Sequence, residues 1–224
     1  PSRYNDIIDG WGFEYTKRAD GTDMKINGNK VFNMEAYIQL HDDYSTSRDE
    51  TYANQVENDW LDFGTPLCID LNGDGIQTLS LYESTVLFDL KEGDGVKEHV
   101  GWLSGEDGFL VWDQNGDGEV NNVNEMFGGD LHEGFAKLAL HDENGDRAIT
   151  SRDNIFDDLE VWIDQNENGS TELWEIYSLQ DLDITKLNLK YKQISEVNNG
   201  NFIVEQTFAR VDGVKLDFAD VVFK

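Results

Sequence analysis

The sequence predicts an α+β fold in which short strands and helices are bridged by acidic loops, followed by a C-terminal antiparallel sheet. Five acidic, glycine-containing loops recur at a spacing of about 20–30 residues, which turns alone do not explain. Short apolar runs precede most of these loops, and apolar residues at helical spacing flank some of them. After Leu179 the apolar residues alternate with a period of two, which is typical of strands.

The composition permits a packed core and excludes some classes of partner. Hydrophobic residues make up 38% of the 224-residue chain, with six Trp and twelve Phe. The 46 acidic and 17 basic residues give a net charge of -29, so we predict no nucleic-acid partner. We also predict no membrane insertion, because no apolar run approaches the ~18 residues that a spanning helix needs. Cys68 is the lone cysteine, which excludes an internal disulfide.

The loop at residues 113–125 shows the repeated pattern most completely. Oxygen-bearing side chains stand at positions 1, 3 and 5, and a glycine stands at position 6, where the chain turns sharply. The closing acid, Glu125, comes one residue after the usual twelfth position. Because calcium takes six to eight oxygen ligands, the pattern predicts an EF-hand/dockerin-like calcium loop. The apolar run at 109–112 predicts that this loop follows a strand.

The other four loops repeat the pattern with variations, and together the five predict several Ca²⁺ ions. Loop 2 has Lys91 where an oxygen belongs, and Arg147 replaces the glycine of loop 4, which predicts a relaxed turn or weaker binding. Glu175 can offer both carboxylate oxygens, which favours calcium over magnesium. The predicted ligands are Asp70, Asn72, Asp74 and Ile76 in loop 1 (70–76), Asp89 and Asp94 in loop 2 (89–95), Asp113, Asn115, Asp117, Glu119, Asn121 and Glu125 in loop 3 (113–125), Asp142, Asn144, Asp146, Ala148 and Asp153 in loop 4 (142–153), and Asp164, Asn166, Asn168, Ser170 and Glu175 in loop 5 (164–175).

The regular elements around the loops follow from the apolar spacing and from turn residues. The predicted C-terminal sheet contains no candidate catalytic or binding residues, so we predict that its role is structural. The elements are strands at 67–69, 86–88 and 161–163, paired strands at 101–103 and 109–112, helices at 134–140, 152–159 and 172–177, and sheet strands at 184–191, 202–208 and 218–223.

Residues 1–60 differ in composition from the rest, and we predict two regions: an N-terminal subdomain or linker at 1–60 and a calcium-binding domain at 61–224. A turn at Asp20–Gly21 between apolar runs predicts a hairpin. A capping box at Ser47–Glu50 predicts a short helix or ordered linker. The chain begins at Pro1 without Met, so we expect it to be part of a longer protein.

Five segments occur in an order and spacing that resemble one family: Gly64–Ile76, Gly101–Trp102, Glu125–Gly128, Gly134–Leu138 and Val161–Asp164. Over about residues 64–224 the chain is similar to the calcium-binding, self-processing module of FrpC-type RTX proteins, although glycine-rich nonapeptide repeats are absent. The resemblance implies type I secretion, a secreted or cell-surface location in a Gram-negative bacterium, and a parent adhesin or toxin. It also implies partners for that parent among surface proteins or glycans of host or neighbouring cells.

In the self-processing members an Asp–Pro bond breaks when the Asp carboxylate attacks its own carbonyl and forms an anhydride. The matching bond here is Thr65–Pro66. A threonine hydroxyl cannot form that anhydride, so we expect calcium binding without self-cleavage and no catalytic residues. The alternative is a calcium-dependent autoproteolytic module. A third reading, a haloacid-dehalogenase-type phosphatase, is suggested by Asp70 and weakened by Asn72 in the place of its acid.

Overall fold

The computed structural model describes the backbone at residues 16–17 and 23–24, and residues 64–91, 93, 95–129 and 132–224. Strands β1 (Thr16–Lys17) and β2 (Asp23–Met24) pair antiparallel, in agreement with the predicted N-terminal hairpin. The predicted capping-box helix lies outside the described residues, and the boundary at residue 60 stays a prediction. Within the described part of the chain, no helix has both the length and the apolar character needed to cross a bilayer.

The predicted α+β class is wrong, because the described residues are nearly all β. They contain one α-helix, α1 (Gly134–Ala139), and no alternating βα units of the kind that the phosphatase reading needs. The strands are β3 (Leu67–Ile69), β4 (Thr78–Leu79), β5 (Leu87–Phe88), β6 (Glu98–His99), β7 (Trp102–Leu103), β8 (Gly108–Val111), β9 (Ala148–Ile149), β10 (Glu160–Trp162), β11 (Ile176–Ser178), β12 (Ile184–Asn188), β13 (Lys192–Asn198), β14 (Asn201–Val211) and β15 (Val214–Val222).

Two of the three predicted helices are absent for different physical reasons. In the segment 152–159 a short 3-10 helix (Asn154–Asp157) buries Ile155 and Phe156. Strand β10 begins soon afterwards, so too few residues remain to propagate an α-helix. The segment 172–177 instead runs into β11, which pairs with β10 at the edge of the sheet. There, strand pairing overrides the local helical pattern.

Nine strands form one curled antiparallel sheet, in the order β11-β10-β8-β3-β15-β14-β12-β9, with β13 pairing on β14. Its longest component is the β14–β15 hairpin, which pairs from Phe202 opposite Val222 to Val211 opposite Val214. The predicted pairing of 101–103 with 109–112 is wrong, since β7 pairs with β4 and β8 lies between β3 and β10. All four residues of β8 are buried, as is usual for a central strand that is covered on both faces.

The central strands β3 and β8 are buried on both faces, so side chains of alternating residues enter two different cores. One core contains Leu67 and Leu110 together with Phe135 of α1. The other contains Cys68 and Phe109, and its densest part is a cluster of aromatic rings. In that cluster the Trp102 ring lies 4.6 Å from Phe109 and 5.6 Å from Trp162 between centroids.

Three neighbouring strands determine where three of the acidic loops lie. Strands β3, β8 and β10 lead into loops 1, 3 and 5, and β8 is antiparallel to both of its neighbours. Loops 1 and 5 therefore leave the sheet at the same end, and loop 3 leaves it at the opposite end. Loop 4 contains β9, which lies at the far edge of the sheet.

Candidate metal centres

All five loops share one hydrogen bond that folds the loop around its first aspartate. The backbone N–H at the turn position donates to Oδ2 of that aspartate. The distances are 3.1 Å from Gly75 to Asp70, 2.7 Å from Gly95 to Asp89, 2.9 Å from Gly118 to Asp113, 2.8 Å from Arg147 to Asp142 and 2.8 Å from Gly169 to Asp164. The repeated sequence pattern therefore corresponds to a repeated conformation.

The turn position is left-handed in loop 4 as it is in the others. Gly118 has a φ of 79°, and Arg147 keeps a φ of 65° although it carries a side chain. The turn is therefore not relaxed, and the side chain costs roughly 1 kcal/mol of backbone strain. Loop 4 keeps the conformation of the other four loops at that cost, so its candidate oxygen ligands keep the same arrangement.

Each of loops 3, 4 and 5 ends in a buried acid that accepts hydrogen bonds from its own loop. In loop 3, Glu125 accepts from Asn121 N at 2.9 Å and from Asn115 Nδ2 at 3.0 Å. In loop 4, Asp153 accepts from the N–H of position 2 at 3.1 Å and from Asn144 Nδ2 at 3.1 Å. The position-3 amide in each loop thus lies against the closing acid and occupies the gap between carboxylates.

Loop 5 follows the same plan, with Glu175 fully buried as the closing acid. Its Oε1 accepts from Gln165 N at 3.1 Å and from Asn166 Nδ2 at 3.2 Å. Its Oε2 is buried and has no hydrogen-bond partner. Burial, followed by a hydrogen bond with Glu172, raises the pKa of Glu175 to about 7.

Loop 1 lacks a closing acid within its own segment, and Asp107 supplies one from the turn before β8. Asp107 accepts from Leu71 N at 3.4 Å and from Gln77 N at 2.6 Å. Leu71 stands at position 2, whose N–H also donates to the closing acid in loops 4 and 5. The position-3 amide of Asn72 instead donates to Glu106. Carboxylate oxygens of Asp70, Asp74 and Asp107 lie within 4.8 Å of one another, and among the described residues this is the one His/Cys/Asp/Glu group that meets that distance.

Burial and neighbouring carboxylates disfavour the charged forms of two closing acids. Burial, with smaller contributions from the Asp70 and Asp74 charges, raises the pKa of Asp107 to about 7, although hydrogen bonds from Gln77 N and Leu71 N lower it in part. Burial also raises the pKa of Glu125, with contributions from Asp117 and Asp113. A positive ion among these groups would favour their charged forms, so the donor sets fit a hard divalent cation.

Loop 2 is the least complete of the five. Asp89 is buried, and no described residue forms a hydrogen bond with its Oδ1. Its backbone C=O accepts from Val123 N at 3.0 Å, so loop 2 packs beside loop 3. Asp94 lies outside the described residues.

The remaining predicted ligands have varied surroundings. The Ile76 carbonyl accepts from Asn198 Nδ2 at 2.8 Å, so it is already a hydrogen-bond acceptor. Ala148 is buried on β9, opposite Asn188 of β12. Three hydrogen bonds join pairs of exposed loop residues, and in each a side-chain oxygen accepts the N–H two residues on: Glu119 N to Asp117 Oδ1 at 2.9 Å, Asp146 N to Asn144 Oδ1 at 2.9 Å, and Ser170 N to Asn168 Oδ1 at 2.6 Å.

A second acidic cluster, which the sequence analysis missed, lies within the C-terminal sheet. Glu205 and Asp220 are paired residues of β14 and β15, and both are fully buried. His132 Nδ1 lies 3.1 Å from Glu205 Oε1. Burial raises the pKa of Glu205 to about 7 and raises the pKa of Asp220 well above its usual value. Thr65 contacts Asp220 and lowers that pKa in part.

The family follows from a comparison with protein-family models. Residues 67–224 match the SPM domain, and this stretch covers more than half of the chain. The chain therefore belongs to the SPM domain family. The matched residues include the five loops, Asp107, Glu205 and Asp220.

One relative places the domain within a much larger protein. The iron-regulated protein FrpA of Neisseria meningitidis serogroup C is 36% identical over 168 residues. That stretch covers 70% of this chain and 15% of FrpA, so the chain spans a small part of the relative it matches. Both matches support the predicted resemblance to an FrpC-type module.

Glu205→Gln should flatten the pH dependence of the free energy of unfolding. The folded chain keeps the Glu205 proton up to about pH 7, whereas the unfolded chain releases it near 4.5. The native state binds more protons in that window, so stability falls as the pH rises through it. Urea unfolding across the window should give a shallower slope for Glu205→Gln than for the wild type.

Glu196→Gln on the adjacent strand β13 is the matched control for this measurement. It should give the same slope of the free energy of unfolding against pH as the wild type. The loop acids are the same in all three proteins, so the difference reports on Glu205 together with Asp220 and His132, which interact with it. Equal slopes for the wild type and Glu205→Gln would contradict the assignment of a buried proton to this residue.

Proposed function

We propose that this chain is a calcium-binding, calcium-folded module of a large secreted RTX adhesin or toxin. The observation that carries the proposal is the common construction of the loops. In each of them a backbone N–H holds the first aspartate, and in four of them a buried acid closes the loop. In loop 1 the closing acid, Asp107, comes from another part of the chain. A turn alone does not require such an acid, so its presence favours a binding role.

Several features favour calcium over other cations. The candidate ligands are carboxylate, amide and carbonyl oxygens, which suit hard cations. No histidine or thiolate is among them, which argues against zinc or copper. Among the described residues, none forms a hydrogen bond with the buried Glu175 Oε2 or Asp89 Oδ1, and such acceptors are costly unless a donor or an ion reaches them.

The proposed mechanism is folding coupled to ion binding. A chain with a net charge of -29 repels itself, and the loops bring its carboxylates together. Cations that bind the native state alone stabilise it by mass action, by about 2.7 kcal/mol per site at 100 times the dissociation constant. In a cytoplasm poor in calcium the chain would stay loose enough for export, and it would fold outside the cell.

The localisation and partners belong to this proposal as well. We place the module in a protein that is secreted by, or held on the surface of, a Gram-negative bacterium. Surface proteins or glycans of host or neighbouring cells would be bound by the parent protein and not by this module. The share of FrpA that the chain matches leaves room for such binding domains elsewhere in a parent of similar size.

Self-cleavage is not part of the proposed function, because Thr65 stands where the resemblance places the reacting aspartate. Thr65 is buried, and its N–H donates to Gly129 O at 3.3 Å. Pro66 is equally fixed, since its carbonyl accepts from Val221 N at 3.2 Å. The segment is therefore held in the sheet, but a single hydroxyl oxygen cannot form a cyclic anhydride. The observation that favours the autoproteolytic alternative is the membership of this chain in the SPM domain family.

Asp107→Asn should weaken one calcium site by roughly tenfold, which is about 1.4 kcal/mol of binding free energy. The change removes the charge that closes loop 1 and keeps the side-chain shape. Isothermal titration calorimetry with calcium measures the loss. Asp158→Asn is the matched control, because the same substitution removes the same charge from an exposed position outside the five loops. If both variants bind calcium as the wild type does, Asp107 is not a ligand.

The full chain should remain intact after calcium is added. Intact-mass spectrometry over a time course, with and without calcium, should show one species at all times. A new fragment that begins at Pro66 would show that the autoproteolytic alternative is correct, whether or not calcium binds.

A further inference from the structure

The turn 104–107 lies between loops 1 and 5, at the end of the sheet where both loops emerge. On one side, Asp107 closes loop 1. Ser104 N also donates to Gln77 O at 3.0 Å, just after loop 1. Glu106 Oε2 accepts from Asn72 Nδ2 at 2.9 Å. Three of the four residues of the turn therefore contact loop 1 or the residue after it.

On the other side, the same segment contacts the first half of loop 5. A Cβ on Gly105 would lie 3.0 Å from the Cα and O atoms of Gln165, so the two backbones pack closely there. Gly105 N also donates to Glu167 Oε1 at 3.4 Å. Any displacement of the turn is therefore transmitted to loop 5.

Trp102, just before the turn, fixes the first ligand of loop 5. Its Nε1–H donates to Asp164 Oδ2 at 2.8 Å in a buried contact. The Trp102 ring is itself packed against Phe109 and Trp162, so the donor has little freedom to move. The position of Asp164 is thus determined partly by the segment that also carries the closing acid of loop 1.

We propose that loops 1 and 5 bind calcium cooperatively through this segment, with Trp102 and Gly105 as positioning residues. An ion in loop 1 fixes Asp107 and with it the turn. The ordered turn then holds the Gln165 backbone and Asp164 in place for a second ion. The second ion meets a loop that is already ordered, which is a source of positive cooperativity. This inference rests on the proposed calcium binding.

The indole Nε1–H resonance of Trp102 reports directly on loop 5, because that proton is bonded to Asp164. Its loss in Trp102→Phe assigns it in a proton–nitrogen NMR spectrum. The test is a calcium titration of the full chain that follows this resonance in Asp74→Asn and Asp146→Asn. Both residues occupy position 5 of their loops and both are exposed, but Asp146 belongs to loop 4 at the far edge of the sheet.

Asp74→Asn should raise the calcium midpoint of the Trp102 resonance by about fivefold or more, which is the lower range of typical coupling between sites. Asp146→Asn should raise that midpoint several-fold less than Asp74→Asn, because loop 4 influences loop 5 only through the shared folding of the chain. Adding Gly105→Ala should reduce the effect of Asp74→Asn to that of Asp146→Asn, because the added Cβ separates the turn from the Gln165 backbone. Where Gly105→Ala does not fold, Glu167→Ala removes the acceptor of the Gly105 N–H and should reduce the effect in part, because the backbone packing against Gln165 remains.

Calorimetry on the same samples separates the possible failures. If no calcium binds, the proposed function is wrong. If calcium binds but Asp74→Asn and Asp146→Asn shift the midpoint equally, or neither shifts it, loops 1 and 5 are not specifically coupled. If Asp74→Asn still shifts the Trp102 midpoint more than Asp146→Asn does in folded variants that lack the contact at Gly105, the turn does not couple loops 1 and 5.

Discussion

Repulsion among carboxylates is the constraint on which this structure depends. The chain carries 46 acidic residues against 17 basic ones, and its loops bring several of the acids together. Backbone N–H groups offset part of this repulsion, since the first aspartate of each loop accepts a hydrogen bond from the N–H at the turn position. The closing acids receive less compensation, and burial raises the pKa of Asp107 and Glu175 to about 7. A divalent cation is the group that would satisfy both sets of oxygens at once.

A sheet, and not a set of helices, holds the loops in place. Strands β3, β8 and β10 are buried on both faces, so their ends are rigid and each one delivers a first aspartate. The usual helices of an EF-hand are replaced by strand pairing, and α1 packs against one face of the sheet. Because neighbouring strands are antiparallel, loops 1 and 5 lie together with the turn 104–107 between them. This proximity follows from the topology and is what makes coupling between the two sites physically reasonable.

The sequence predicts local features of this molecule better than distant ones. The strand at Leu67–Ile69 follows from a short-range pattern and is confirmed. The first aspartate of every loop also follows from a short-range pattern and accepts the N–H of the turn position, and its role as a metal ligand stays a prediction. The helix at 172–177 could not be excluded locally, because its last residues pair with a strand that the sequence does not identify as their partner. Asp107 contacts Leu71 across 36 residues of sequence, so no loop motif includes it. Glu205 and Asp220 were missed because acids in an alternating pattern normally face solvent, whereas this sheet is covered on both faces.

The most direct test of the central claim is near-ultraviolet circular dichroism of the full chain in EDTA and in millimolar calcium. The buried Trp102–Trp162 cluster gives a signal in this region only when its packing is fixed. With calcium the aromatic bands should be strong and should melt cooperatively, and in EDTA they should be largely lost. Equal bands and an equal melting midpoint in EDTA would show that the carboxylates need no cation, and would contradict the claim.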